Sequence, residues 1–354
     1  MDMNESLVVG SPCTKPDAGS VALASVLSLL SLVTITGNLL TITAFVTDAS
    51  LRKKPSNLFI LSLSCADLLV GFVIPIGVGE LICSSWRFGE IGCQLDSFTS
   101  NIGIIAGMGS ITMIALDRYL LISRQYPRYL ALQSRPNVHR SIAAVWVVSV
   151  SIGLLEIIIW EAVDFSTGYD FIVECRSPPR DNIVILCILF LVVVGPVICV
   201  AVLSVRFLVL LRRRLRSFAT PPAANGSGQP VGPVAPSDGM DHREELDMST
   251  TSAAGNAQQS SPTSETSKRR ARYIRPAIIM TTLVIAFFAF TLPYVIFITV
   301  VAQLCPECGD SNRVHFYLVN VFYLNSCINP FIYAATHPKI RRFHLKLVSC
   351  LKLK

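Results

Sequence analysis

The chain has 354 residues, of which 52% are hydrophobic and only 15% are charged, and its formal net charge is +7. Its mean hydropathy of +0.56 is too high for an ordinary soluble domain and indicates a membrane protein. The positive charge does not indicate a nucleic-acid-binding protein, because the basic residues occur in short clusters between apolar runs, as in the loops of membrane proteins.

Seven apolar runs are long enough to cross a bilayer, since a transmembrane helix needs about 20 mostly apolar residues. In chain order they cover residues 21–46, 58–83, 92–122, 141–160, 183–211, 277–304 and 316–335. The first run follows a polar segment and lacks a basic leader, so we interpret it as a span and not as a signal peptide. The predicted fold is an all-α membrane bundle of seven transmembrane helices.

Lys and Arg are concentrated after spans one, three and seven and between spans five and six, whereas the opposite loops are richer in acids. The positive-inside rule therefore predicts an extracellular N-terminus and a cytoplasmic C-terminus. The predicted segments are an extracellular N-terminus (1–20), spans one to five (21–216), a third cytoplasmic loop (217–267), spans six and seven (268–336), and a tail (337–354). The loop is rich in Pro, Gly, Ala, Ser and Thr, so we expect disorder there. The tail begins as a short basic amphipathic helix on the membrane.

Cysteine positions divide between the spans and the outer surface. Cys93 and Cys175 both lie on the oxidising outer side, where disulfides form, so we predict a bond between them. Cys305 and Cys308 form a second outer pair. A local disulfide is favoured there over a zinc site, because zinc takes about four ligands and only two thiols are near.

Several residues are candidates for modification or stay unassigned. The outer sequon at Asn4 predicts glycosylation. Cys350 in the tail is a candidate for palmitoylation, with a free cytoplasmic thiol as the open alternative. The run 260–267 offers several phosphorylatable hydroxyls to receptor kinases, and phosphate there would attract a basic partner such as arrestin. No partner is assigned to Cys13 or Cys83.

The spans also carry short motifs in a characteristic order. They are Gly37-Asn38, the segment 63–67, Trp86-Arg87-Phe88-Gly89 before Cys93, Asp117-Arg118-Tyr119, Trp146, Pro196, Phe287 with Pro293, and Asn329-Pro330-Phe331-Ile332-Tyr333. In this order the chain resembles the rhodopsin-like (class A) G-protein-coupled receptors. Its long third inner loop and short tail are nearest to the biogenic-amine branch. The resemblance implies a plasma-membrane receptor that activates a heterotrimeric G protein and has no enzymatic chemistry of its own.

The resemblance assigns an activation role to one set of residues, which consists of Asp117, Arg118, Tyr119, Pro196, Phe287, Asn329, Pro330 and Tyr333. Arg118 follows Cys93 by 25 residues, or about 38 Å along a helix, which brings it to the cytoplasmic interface. Asp117 is then expected to neutralise Arg118 at rest, and Arg118 to meet the G protein in the active state. The alternative is that Arg118 only extends its charge to the headgroups.

Asp67 lies deep in the second span, where an acid is costly and usually functional. With Asn38, Asn325, Ser326 and Asn329 it resembles the sodium-binding polar cluster of the family, although Gly107 stands where relatives often have Ser. A hydrated polar network that packs the helices is the open alternative. No other cofactor is expected.

The family's ligand pocket corresponds here to Asp96, Ser100, Asn101, Ile104, Thr291, Tyr294 and Tyr323. Ser100 stands where the amine branch has an Asp, and a hydroxyl cannot neutralise a buried ammonium. We therefore expect a neutral or lipid-like ligand and not a monoamine, with Asp96 as the residue that could still pair with an amine. Tyr323 replaces the retinal lysine of opsins, which excludes a Schiff-base pigment.

Two other classes of protein remain as alternatives. A non-signalling seven-helix binding or scaffold protein is kept open because Thr291 replaces the family's usual Trp in span six. A transporter or channel would favour broken helices, internal repeats or a line of charges through the bundle, and the sequence shows none of these.

Overall fold

The computed structural model describes residues 16–83, 86–167, 175, 190–219, 262–297 and 311–352, and within these ranges it contains helices and turns but no strand. The long helices are α1 (Ala18–Thr47), α2 (Leu58–Cys83), α3 (Gly89–Ser123), α4 (Arg135–Thr167), α5 (Gly195–Ala219), α6 (Pro262–Ile296) and α7 (Ser311–Thr336), followed by α8 (Pro338–Lys352). Shorter helices are Ala49–Arg52, the 3-10 turn Pro55–Asn57, Tyr126–Leu132 and the π-helix Phe190–Val194.

Several helices extend beyond the apolar runs that predict them. Helix α4 begins at Arg135 and not at residue 141, and α5 continues to Ala219. Helix α6 begins at Pro262 and so takes in residues 262–267, which the sequence predicts as part of the third loop. The physical reason is that hydropathy marks only the part of a helix inside the bilayer, whereas backbone hydrogen bonding continues beyond it. Residues 220–261 of that loop lie outside the described residues.

The outer surface of the bundle is apolar, and its interior combines an apolar core with buried polar residues. Large apolar side chains point outward, including Val26 (62% exposed), Leu29 (61%) and Ile158 (65%). Asp67 and Asn329, in contrast, are buried in the interior. A soluble protein would not expose so much apolar surface, so this distribution indicates a lipid environment around the helices.

Six of the described helices are long and apolar enough to cross a membrane. Helix α7 has 26 residues but is not among these six. Its sequence contains several polar residues, and of these Asn325, Ser326 and Asn329 are buried. The polar side of the seventh helix therefore faces the bundle, and the structure confirms the predicted all-α membrane fold.

Small residues allow the helices to approach closely. A Cβ on Gly37 of α1 would lie 2.9 Å from the ring of Pro330 in α7. A Cβ on Gly109 of α3 would lie 2.7 Å from Val145 of α4. Glycine thus permits the close approach at both crossings, because a Cβ at either position would force the facing side chain or helix to shift.

Helix α8 is amphipathic, as predicted. Ile340 is completely buried and Phe343 packs against the same core, while Arg341 and Arg342 are exposed. Lys339 Nζ donates a 2.8 Å hydrogen bond to Ser50 Oγ in the loop after α1. The helix is therefore fixed to the bundle by an apolar face and by this polar contact.

Candidate functional site

The inner end of α3 holds a buried ion pair. Asp117 is 1% exposed and Arg118 is 5% exposed, and Arg118 NH1 lies 3.4 Å from Asp117 Oδ2. Arg118 Nε makes no hydrogen bond with the described residues. Burying two charges is tolerated only when they are paired. Within this pair, N–H donors of Arg118 still make no hydrogen bond with the described residues. The neighbouring Tyr119 is half-buried.

Two hydroxyl groups from other segments at this end of the bundle hydrogen-bond to the carboxylate of Asp117. Ser56 Oγ donates to Asp117 Oδ1 at 2.9 Å, and Tyr129 Oη donates to the same oxygen at 2.9 Å. The Ser56 and Tyr129 hydroxyls are 3.1 Å apart. Burial and the nearby Asp117 charge raise the pKa of Tyr129 well above its ordinary value, so its hydroxyl stays a donor. Sequence reasoning missed both residues, since nothing in their local pattern indicates which acid they contact.

A polar cluster lies midway along the bundle. Asn329 Nδ2 donates to Asp67 Oδ2 at 2.8 Å, and Ser326 also hydrogen-bonds to Asp67. Asn38 Nδ2 of α1 donates to the Ser326 carbonyl at 3.2 Å. The cluster thus joins α1, α2 and α7, and the structure brings together the predicted members Asp67, Ser326 and Asn329.

Several buried oxygens of this cluster have no hydrogen-bond partner among the described residues. They are Asn38 Oδ1, Asn325 Oδ1, Asn329 Oδ1 and the hydroxyl groups of Ser64 and Tyr333. Buried polar atoms are nearly always satisfied by protein, water or an ion. Oxygen ligands of this kind suit a hard cation or water, so the donor set fits either partner.

Prolines lie within several of the long helices. Pro330 lies inside α7 and Pro75 inside α2. The π-helix Phe190–Val194 precedes α5, whose second residue is the half-buried Pro196. Proline has no N–H, so each of these residues removes one backbone donor from its helix. Phe287 of α6 is completely buried and meets Phe288 edge-on at 5.4 Å.

The outer half of the bundle places part of the predicted ligand pocket together. The hydroxyls of Ser100 and Tyr323 lie 3.4 Å apart, which joins α3 to α7. Thr291 is completely buried, and its hydroxyl has no partner among the described residues. Tyr294 packs on Phe322 at 5.7 Å. The predicted Ile104 is half-buried against the hydrophobic core.

Asp96 lies at the outer side of this group. Asp96 as a whole is half-buried, but its Oδ1 atom is shielded from solvent. In the described part of the chain this oxygen has no hydrogen-bond partner. The charges of Glu80 and Asp96 act on each other. A carboxylate oxygen with no donor nearby, close to a second acid, favours a positively charged partner.

Asn101, which is predicted as a pocket residue, contacts α4. Its Nδ2 donates to Glu156 Oε2, and Ser97 Oγ donates to Glu156 Oε1 at 3.4 Å. Sequence reasoning missed Glu156. The available signal is an acid inside the apolar run 141–160, since an ionisable residue within a span is usually functional or paired.

A disulfide bond fixes the outer end of α3. Cys93 is bonded to Cys175, with their Cα atoms 5.5 Å apart, which confirms the predicted disulfide. Trp86 packs against this bond and donates from its ring N–H to the Gly89 carbonyl at 2.7 Å. Gly89 has a φ of +65°, a conformation that side-chain-bearing residues rarely adopt.

The junction between α7 and α8 contains His337. Its ring is half-buried, and its Nδ1 has no partner among the described residues. Burial, together with the charges of Lys54, Lys339 and Arg118, lowers the pKa of His337. The surroundings of His337 therefore disfavour the charged form of its imidazole.

Some predicted sites lie outside the described residues. They are Asn4, Cys13, Cys305, Cys308 and the hydroxyls of 260–261. Cys350 lies on the described backbone of α8, but its side chain is outside the description, as are the side chains of 262–267.

Comparisons with known proteins agree with this geometry. The sequence model of the 7 transmembrane receptor (rhodopsin family) matches residues 37–333. Human 5-hydroxytryptamine receptor 4 is 26% identical over 93% of this chain and 80% of its own length. Human melanopsin is 27% identical over 60% of this chain, and the match spans 45% of melanopsin. A Gq-coupled rhodopsin of Mizuhopecten yessoensis is 25% identical over 89% of this chain and 57% of its own.

Proposed function

The chain belongs to the seven-transmembrane receptors of the rhodopsin family, and we propose that it acts at the plasma membrane as a G-protein-coupled receptor for an extracellular ligand. In this role the receptor catalyses nucleotide exchange on a heterotrimeric G protein through its conformation, without bond chemistry of its own. The name of the Gq-coupled rhodopsin among its relatives supports this coupling. Neither comparison nor geometry favours a scaffold or a transporter.

The observation that carries the proposal is the buried Asp117–Arg118 pair at the cytoplasmic end. Its 3.4 Å separation restrains Arg118 in the described conformation. When helices separate at that end, Arg118 becomes available to a partner. A ligand drives this change only if it binds the open arrangement more tightly than the closed one.

The test is a second-messenger measurement in cells that express the wild type or Arg118→Ala at equal surface levels. We expect the basal signal and any ligand-evoked signal to fall to background in Arg118→Ala. The matched control is Arg124→Ala, which removes an exposed arginine just after the same helix. Equal signalling by wild type and Arg118→Ala contradicts the proposal.

For the ligand we propose a neutral or lipid-like molecule. Ser100 occupies the position of the amine-pairing Asp, and its hydroxyl lies 3.4 Å from that of Tyr323. The outer part of the fifth span is apolar in sequence over residues 188–192. At position 100 the receptor therefore offers a hydroxyl group rather than a counter-charge.

A cationic ligand is the second candidate, because Asp96 Oδ1 is buried without a partner in the described structure. The name of 5-hydroxytryptamine receptor 4 also indicates an amine ligand for that relative. A monoamine dose-response panel on wild type and Asp96→Asn separates the two candidates. Potent activation that Asp96→Asn abolishes, and that Glu90→Gln at the exposed start of α3 preserves, selects the cation.

We also propose an allosteric sodium ion at the polar cluster, bound by Asp67, Asn325, Ser326 and Asn329. Gly107 contributes no hydroxyl there, and Ser110 is already bonded to Ser62 at 3.0 Å. The alternative is water alone. The test compares thermal unfolding in sodium chloride and in choline chloride. Sodium should stabilise the wild type but not Asp67→Asn, and equal curves in both salts contradict the ion site.

Regulation is proposed for the cytoplasmic loop and tail. Receptor kinases would phosphorylate the run 260–267 and arrestin would bind there, because this run offers several hydroxyl groups close together. Deletion of the run should abolish arrestin recruitment while surface expression is kept. Palmitoylation of Cys350 would add a second membrane anchor beside α8, and acyl-exchange labelling of wild type and Cys350→Ala tests it.

A further inference from the structure

The outer end of α2 carries a disulfide-bonded cysteine whose partner the sequence does not identify. Cys83, the last residue of α2, is disulfide-bonded. The described cysteines do not supply its partner, because Cys93 is bonded to Cys175 and the others, Cys65, Cys199 and Cys327, are free. The partner is therefore one of Cys13, Cys187, Cys305, Cys308 and Cys350.

The position of each cysteine along the membrane normal reduces the number of candidate partners for Cys83. Cys350 belongs to α8, at the opposite end of the bundle from Cys83. Cys187 belongs to the predicted fifth span, whose surroundings are hydrocarbon. Only Cys13, Cys305 and Cys308 belong to the predicted outer segments.

Helix register places Cys83 level with the start of α1. Ser31 Oγ of α1 donates to the Gly71 carbonyl of α2 at 2.9 Å, which fixes the relative height of these two antiparallel helices. From that contact α1 extends outward for 13 residues to Ala18, and α2 extends for 12 residues to Cys83. At 1.5 Å per residue these lengths are about 20 Å and about 18 Å.

Cys13 lies within reach of this level. Asp17 caps α1 by accepting from the N–H groups of Gly19 and Ser20, each at 3.2 Å, which fixes the chain at the helix start. Cys13 precedes Asp17 by four residues, a span of up to about 14 Å. That length allows the two Cα atoms to approach within the roughly 4.4–6.8 Å of a disulfide.

The remaining two candidates, Cys305 and Cys308, are expected to pair with each other. Only Pro306 and Glu307 separate Cys305 from Cys308, and the entropy cost of closing a loop grows with its length. Their pairing leaves Cys13 and Cys83 and no unpaired thiol in the predicted outer segments. We propose that Cys13 and Cys83 form a disulfide that tethers the N-terminal segment to the outer end of α2. The proposal rests on the extracellular N-terminus.

The bond would form by thiol–disulfide exchange in the secretory pathway. The two thiols reduce the disulfide of a protein disulfide oxidoreductase to two thiols, and the sulfurs of Cys13 and Cys83 become joined in its place. The tether would lie about one turn beyond Glu80, whose charge acts on Asp96. The N-terminal segment would thus be held at the rim of the proposed ligand pocket.

Peptide mapping of the full-length receptor tests the connection directly. The protein is purified in detergent without reductant, free thiols are alkylated, and the digest is analysed by mass spectrometry. We expect one species that links Cys13 to Cys83, and an internal bond between Cys305 and Cys308. Linkage of Cys83 to Cys305 or Cys308, or alkylated Cys13, overturns the proposal.

A release assay on intact cells tests the same bond without any ligand. An epitope tag is placed before Met1 and a protease site is inserted between Cys13 and Thr14, and cleavage is verified by size under reducing conditions. The tag should stay on wild-type cells until a reductant is added, and should leave Cys13→Ser cells at once. The double variant Cys305→Ser/Cys308→Ser is the matched control and should retain the tag. Release from the control, or from wild type without reductant, overturns the tether. Neither readout requires G-protein signalling, so either can fail independently of the proposed function.

Discussion

Asp117 receives its hydrogen bonds from residues that lie far from it in sequence. Ser56 precedes it by 61 positions and Tyr129 follows it by 12, and both reach the same carboxylate oxygen. Each bond favours the carboxylate orientation that also faces Arg118. These two donors therefore support the restrained ion pair, and neither is evident from the local sequence around Asp117.

Replacing Tyr129 by Phe should raise the ligand-independent signal several-fold. The change removes one donor from Asp117, and a hydrogen bond to a charged group contributes about 1.5–3 kcal/mol. The measurement is basal second messenger normalised to surface expression. Tyr126→Phe is the control, since Tyr126 is 55% exposed and its ring lies 6.3 Å from that of Tyr129. An unchanged signal in Tyr129→Phe, or an equal rise in the control, argues against this role.

Replacing Glu156 by Leu should lower the thermal unfolding midpoint of the purified receptor. The side chains of Ser97 and Asn101 then lose their shared acceptor, and an unsatisfied buried polar group costs about 1–3 kcal/mol. Glu156→Gln keeps an acceptor oxygen and should lie close to wild type. Ile158→Leu, on the exposed face of the same helix, is the control. If Leu and Gln at 156 behave alike, the contact does not stabilise the α3–α4 pair.

At the scale of helices, sequence patterns predicted which segments cross the membrane but not their full lengths. The apolar run 141–160 reports the part of α4 in hydrocarbon, whereas the helix begins at Arg135. Contacts between helices were even harder to predict from the sequence. The approach of Gly37 to Pro330 depends on how α1 crosses α7, and no local pattern contains that information.

Replacing Gly37 by Ala should destabilise the receptor by about 1–3 kcal/mol, the usual cost of overpacking. The added methyl would lie 2.9 Å from the ring of Pro330, which cannot rotate away. Gly77→Ala is the matched control, because the nearest atom to its added Cβ is 3.9 Å away on Phe316. Thermal unfolding of both variants in one detergent measures the difference. Equal midpoints for Gly37→Ala and wild type would show that α1 and α7 adjust without cost.

The α7–α8 junction should lose stability as the pH falls below about 6.5. The pKa of His337 is lowered in the folded protein, so the unfolded chain takes up a proton first on acidification. Its contribution is complete above the unfolded pKa and is lost as the pH falls towards the folded pKa. Unfolding midpoints from pH 7.5 to 5.5 should decrease less in His337→Gln than in wild type. His139→Gln, at an exposed histidine, should keep the wild-type slope.

At the scale of the whole molecule, the arrangement of Lys and Arg predicts one orientation in the membrane. The motif order of the sequence was enough to identify the family, because each span contributes its own residue set. The sequence motifs did not identify the ligand. Its chemistry depends on which pocket groups remain unsatisfied, such as Asp96 Oδ1, and only packing determines that.

Epitope tags at the two termini should report opposite sides of the plasma membrane. The positive-inside rule places the N-terminus outside, so an N-terminal tag should be stained on intact cells. A C-terminal tag should be stained only after permeabilisation. Removal of N-glycans should increase the mobility of wild type but not of Asn4→Gln. Staining of the C-terminal tag on intact cells contradicts this orientation.

The contact between Gly37 and Pro330 also limits how the two positions can diverge during evolution. A larger residue at 37 meets two atoms of the proline ring, at 2.9 and 3.0 Å, so it is tolerated only after α7 has changed. Loss of the proline first removes the nearer ring atom and opens a route to the second substitution. Descendants of this sequence should therefore retain both residues or change position 330 before position 37, and the reverse order should be rare.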